Sequence, residues 1–127
     1  MPVAYRYDEM ANRLLTRCEG AVTYAEVMEH FRNLTRDSRL RPNCDVLLDL
    51  SFIIGSPTGG QMSEVTATLE EMHDLVSFGH CAVVAAVDVA YGLARMFQGF
   101  AWPLFTGIRV FRTHADATAW LNEKPVD

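Results

Sequence analysis

Two carboxylates in this sequence stand where an α/β protein would use them. Asp49 stands near the end of the largely apolar run Asp45 to Leu50, and Asp88 follows the apolar run Cys81 to Val87. If both runs are parallel strands, the two acids lie at the carboxyl edge of the sheet, where ligands usually bind. With Arg95 nearby they could form a polar or anion-binding cluster. The simpler reading makes Asp88 a helix cap and Arg95 a surface ion-pair partner of small energy. Between the two acids runs Gly55-Ser56-Pro57-Thr58-Gly59-Gly60, a loop that opens a helix. Backbone N–H groups in such a loop can cradle an anion. The Gly-Lys-Ser/Thr ending of a nucleotide loop and the Gly-x-Gly-x-x-Gly fingerprint are both missing. Ser56 followed by Pro57 is also an ordinary way to start a helix, cap then first position.

The remaining reactive residues are scattered. Glu70-x-x-His73 is half of a di-iron carboxylate motif, and the sequence holds no second copy. His30, His80 and His114 stand alone, without His-x-x-x-His spacing. Cys18, Cys44 and Cys81 form no Cys-x-x-Cys pair and read as buried thiols of a reducing cytoplasm. There is no Gly-x-Ser-x-Gly elbow for a nucleophile. The sequence therefore calls for no catalytic residue, no metal and no cofactor.

The most unusual stretch is Met96-Phe97-Gln98-Gly99-Phe100-Ala101-Trp102-Pro103-Leu104-Phe105, rich in aromatics and without a charge. One helix face cannot bury all of it. Phe97 and Ala101 suit a core stripe, while Phe100, Trp102, Leu104 and Phe105 are in excess. Bare apolar patches of this kind mark interfaces or ligand grooves. The first reading is a homodimer seam. The second is the mouth of an apolar ligand site involving Met96, Phe97, Phe100, Trp102 and Phe105. The third is plain core filling.

The elements that would position these residues can be read from periodicity. Val3 to Asp8 and Arg13 to Cys18 alternate as strands and are close enough for a hairpin. Thr23-Tyr24-Ala25-Glu26 is a capping box ahead of Val27, Met28, Phe31 and Leu34 at helical spacing. Asp45 to Leu50 reads as a strand covered on both faces. Met62, Val65, Leu69, Met72 and Val76 make the stripe of a second helix, which Gly79 should end. Cys81 to Val87 is another buried strand, and Asp88 opens a helix carrying Tyr91, Ala94, Phe97 and Ala101. Ile108 to Phe111 is a short last strand. Thr113 to Asp116 resembles another capping box before a terminal helix with Ala117, Trp120 and Leu121 inward.

The order is β-β-α-β-α-β-α-β-α, an α/β class with a mixed, mostly parallel five-stranded sheet, an antiparallel first strand and four helices. Residues 1–127 are the right length for a single domain. A chain of this size buries roughly two-thirds of its unfolded surface. Eleven basic against sixteen acidic residues leave a net charge of −5, which argues against nucleic acid as a partner. No apolar run reaches the roughly 20 residues of a transmembrane segment, and Arg6, Asp8 and Glu9 stand where a leader would be apolar.

The order and several particular stretches resemble the SpoIIAA-like family of bacterial STAS-fold proteins, also described as STAS/CRAL-TRIO-like. The stretches are Glu19-Gly20 with Val22-Thr23, Leu48-Asp49-Leu50, Tyr91-Gly92-Leu93-Ala94-Arg95-Met96, Val110-Phe111-Arg112 and Ala119-Trp120-Leu121. The resemblance covers about Val3 to Leu121 and implies the fold without implying an enzyme. In STAS anti-sigma-factor antagonists a strand ending in Asp-Leu leads to a loop with a phosphorylatable serine. Counting from Asp49, Thr58 falls at that position, with Ser56 the other phosphorylation candidate. Pro57 stands where the antagonists have aspartate, so the motif is altered. The function expected is a non-catalytic regulatory or protein-interaction module, homodimeric and cytoplasmic. The alternative is a binding or carrier protein for a small apolar, lipid-like ligand.

Overall fold

The computed structural model describes residues 3–55 and 59–123. Its chain starts as a hairpin of β1 (Val3–Asp8) and β2 (Arg13–Ala21), paired antiparallel. Asp8 makes the turn: its Oδ1 accepts from the backbone N–H of Met10 and Ala11. Asn12 takes the left-handed conformation, φ 52°, that asparagine tolerates well. From β2 onward each strand is followed by a helix and, except after the last strand, by a parallel neighbour. These are α1 (Tyr24–Arg36), β3 (Cys44–Ile54), α2 (Gly59–Glu71), β4 (Phe78–Val84), α3 (Asp88–Ala101), β5 (Gly107–Phe111) and α4 (His114–Glu123). The strands lie side by side in chain order, β1-β2-β3-β4-β5, with all pairs after the first parallel. The class and element order expected from the sequence are those found.

Successive crossovers of one hand in one direction bring their helices to one face of the sheet. The main core accordingly joins Leu14 and Cys18 of β2, Val46 and Leu50 of β3 and Cys81 and Val83 of β4 to side chains of α1, α2 and α3. Leu47, Ala82 and Val84 point the other way, onto Ala117 and Leu121 of α4. Every residue of β4 is buried, as a central strand covered on both faces requires. On the α4 side, Ala4, Arg6, Arg17 and Glu19 remain exposed.

Thr23 caps α1 as its sequence indicates. Its hydroxyl accepts from the Glu26 N–H at 3.2 Å, and the Glu26 carboxylate accepts from the Thr23 N–H at 2.8 Å. Several boundaries differ from the sequence reading. β2 and β3 run on past Cys18 and Leu50, because after an irregularity at Arg17–Glu19 the ladder resumes with Glu19 opposite Phe52. Gly79 lies inside β4 and does not end a helix; α2 stops at Glu71 and a single 3-10 turn, Met72–Asp74, follows. A Cβ at Gly79 would sit 2.6 Å from Asp45 Oδ1 and 2.7 Å from the Asn43 carbonyl, so glycine serves a close approach there. That approach lets the His80 N–H donate to the buried Asp45 carboxylate at 2.9 Å. β4 ends at Val84: Ala85 still donates to Phe111, the last residue of β5, and the Val87 carbonyl already accepts from the Tyr91 N–H of α3. Val87, not Asp88, is the cap of α3, and Asp88 is its first helical residue. At α4 only half of the second capping box is present, the Asp116 N–H to Thr113 Oγ1 bond at 3.1 Å.

Candidate functional site

The inward faces of β2, β3 and β4 do not meet the helices everywhere. Between them and α1, α2 and α3 lies a cavity of about 380 Å³. Its floor is sheet: Leu14, Thr16 and Cys18 from β2, Val46, Leu48 and Leu50 from β3, and Cys81 from β4. Its roof is helix: Val27, His30, Phe31 and Leu34 from α1, Met62, Val65 and Leu69 from α2, and Leu93 and Phe97 from α3. One end reaches the carboxyl edge of the sheet, where Val22, Thr23, Tyr24, Ile54 and Gln61 line it. Tyr24 and Ile54 are exposed there, which makes that end the mouth. The size lies within the ~300–1,000 Å³ of ordinary small-molecule sites. At roughly 24 cal/mol per Å³, 380 Å³ of sealed, empty space would cost about 9 kcal/mol, comparable to the whole stability of a domain. A solvent-open mouth relieves part of that cost, and an apolar occupant would relieve more.

Among the described residues no Asp, Glu, Lys or Arg lines the cavity. Its polar groups are few. Thr23 is occupied in capping, and Gln61 has interactions of its own. Thr16 is 5% exposed; its hydroxyl has no hydrogen-bond partner among the described residues and is not among the fully buried polar atoms, so it reaches the cavity space. Tyr5 stands opposite Thr16 in the β1–β2 ladder and sets its ring edge-on to His30, centroids 5.5 Å apart. The Tyr5 hydroxyl is committed elsewhere, donating to Asp37 Oδ2 at 2.8 Å. The Asp37 carboxyl, bonded foremost by Arg39 and then by Tyr5, is held well below the usual carboxylate range. His30 is different. Burial among apolar neighbours lowers its pKa from 6.5 to about 4, so at neutral pH the ring is uncharged. Neither ring nitrogen has a hydrogen-bond partner among the described residues. Burial, with a smaller contribution from Asp49, pushes the Cys18 thiol up to about 11, and burial raises Cys81 further. Both thiols are therefore neutral and weakly nucleophilic.

The residues singled out from the sequence separate into groups. Phe97 and Phe105 line the cavity, with ring centroids 6.5 Å apart, and Phe105 continues to Phe78 at 5.5 Å. Met96 is half-buried against the core without reaching the cavity. Phe100 and Trp102 stay outside, 41% and 64% exposed. Asp49 accepts from the backbone N–H of Ser51 at 2.9 Å. Asp88 binds Arg112 Nη1 at 2.9 Å in an exposed pair. Arg95 is exposed, with no ion pair or hydrogen bond among the described residues. Asp49 and Asp88 are thus engaged separately, and neither shares a hydrogen bond or ion pair with Arg95 among the described residues. Ser56 and Thr58 lie outside the described residues. Among the described residues no three His, Cys, Asp or Glu side chains are grouped to hold a metal, and no helix is long and apolar enough to cross a membrane.

Thr16 and His30 were not marked by the sequence as site residues. The available signal was positional. Thr16 occupies the inward beat between Leu14 and Cys18. His30 falls on the apolar stripe of Val27, Phe31 and Leu34.

No family model matches the sequence, and no curated protein matches it. One solved structure that it resembles is the crystal structure of an uncharacterized protein of the DUF3478 family with a SpoIIAA-like fold, from Shewanella loihica PV-4. The match covers 94% of this chain and 91% of that one, with a TM-score of 0.63 and 16% identity. At that identity the likeness concerns the fold. The strand order, the antiparallel first strand and this likeness together give the chain a SpoIIAA-like fold.

Proposed function

We propose that this chain is a non-catalytic STAS-type module that binds a small apolar ligand in the cavity between its sheet and α1–α3. The observation that carries this reading is the 380 Å³ cavity, walled by aliphatic and aromatic side chains and open beside Tyr24 and Ile54. Met62 supplies an adaptable wall for a ligand of irregular shape. The Cys18 and Cys81 thiols that line it are free and neutral, which suits a binding role in a reducing cytoplasm. A regulatory protein-interaction role, with a homodimer formed through the end of α3, is the second reading. It is favoured by Phe100 and Trp102, which are exposed within two residues of each other.

Native and denaturing mass spectra from one preparation of the purified protein separate the readings. A retained adduct of acyl-like mass that vanishes on denaturation supports the ligand reading. A clean dimer without adduct, dissolved by Trp102→Ala, supports the interaction reading. A bare monomer that also fails to take up an added hydrocarbon dye contradicts both.

A further inference from the structure

We infer that the cavity selects an uncharged, mainly apolar molecule carrying one hydroxyl or carbonyl group, which hydrogen-bonds to Thr16 inside the cavity. The inference rests on the cavity reading above and deepens it.

Charge is disfavoured by the walls. A carboxylate, phosphate or ammonium group brought among aliphatic side chains loses several kcal/mol of hydration unless a partner repays it. None of the lining side chains among the described residues is a formal charge. The α1 N-terminus at the mouth is the natural seat for an anion. That seat is taken: the Glu26 carboxylate accepts from the Thr23 N–H there and would repel a second negative group.

A wholly apolar ligand would leave a defect. A hydroxyl that a ligand covers without pairing loses its hydration uncompensated. Thr16 is nine-tenths buried, faces the cavity and has no partner among the described residues. Tyr5 beside it is tied to Asp37 and cannot serve it. A single hydroxyl or carbonyl on the ligand satisfies Thr16, with the neutral His30 ring, also lining the cavity, as a second acceptor or donor.

Displacement of diphenylhexatriene, a hydrocarbon dye without hydrogen-bonding groups, tests this at neutral pH. The competitors are 1-decanol and decanoate, which share a chain length and differ in charge. The expected result is that decanol displaces the dye at a concentration at least about tenfold below that of decanoate. Thr16→Val should weaken decanol about tenfold relative to the dye, and Thr16→Ser should retain the decanol affinity. Thr16→Val should also match the parent in its resistance to urea, since no described residue loses a hydrogen bond. Equal displacement by decanoate, an unchanged decanol affinity in Thr16→Val, or a marked loss of stability in that variant overturns the inference and leaves the cavity reading standing. Failure of the dye to bind the parent protein overturns both.

Discussion

His30 carries the clearest residue-level consequence. It sits on α1 between apolar neighbours, edge-on to Tyr5 and tilted against Phe31, and it is neutral in the folded state because burial penalises the imidazolium. Its folded pKa, about 4, lies below the unfolded 6.5. The unfolded chain therefore binds the extra proton first. The stabilisation is fully present above pH 6.5 and is lost as the pH falls toward 4. At ~1.36 kcal/mol per unit, and allowing for the ring's partial exposure, the loss between pH 7.5 and pH 4.5 is about 2 kcal/mol. Urea unfolding of the parent and of His30→Leu at those two pH values checks it: the parent should lose about that much more than the variant. Equal losses would place the ring in contact with solvent. Thr16 is the companion case. Read along the chain, a lone His in an apolar stripe and a Thr between Leu14 and Cys18 look like isolated exceptions. Their meaning appears only when the β1–β2 register puts Tyr5 beside both.

At the scale of elements, the capping box, the helical stripes and the all-apolar run of β4 were legible because each is a local rule. Capping, period and burial on both faces depend on residues a few positions apart. The boundaries that differed depend on distant partners. Gly79 reads as a helix terminator in sequence, yet it is required inside β4 because Asp45, far away in the chain, crowds its Cα. β3 continues to Ile54 because β2 continues beside it to Ala21. The capping box has a direct test. Thr23→Ala removes the bond to the Glu26 N–H and should cost about 1 kcal/mol in urea unfolding. Faster amide exchange should appear in the first turn of α1, next to the cavity mouth. A variant with unchanged stability and exchange would mean that the Glu26 carboxylate holds that turn by itself.

For the whole molecule, the fold was readable and the site only partly so. The alternation of one hairpin and three β–α units leaves few arrangements for five strands, and the one observed is the simplest, with neighbours in sequence adjacent in the sheet. A cavity is another matter. It is the volume left where three helices stand off a sheet, and no residue type announces it. The aromatic stretch Met96 to Phe105 pointed toward it through Phe97 and Phe105. Its most conspicuous members, Phe100 and Trp102, face outward and belong to a different surface. The acids Asp49 and Asp88, suggestive at the ends of two buried runs, each found a separate partner.

The central claim, that the space under α1–α3 is a binding site, is tested most directly by titrating diphenylhexatriene into the protein and into a variant whose cavity is filled, Val65→Trp, while circular dichroism confirms that the variant is folded. The account predicts saturable, one-to-one fluorescence enhancement with the parent and its loss in the folded variant. Enhancement that persists in the variant, or none in the parent, would contradict it.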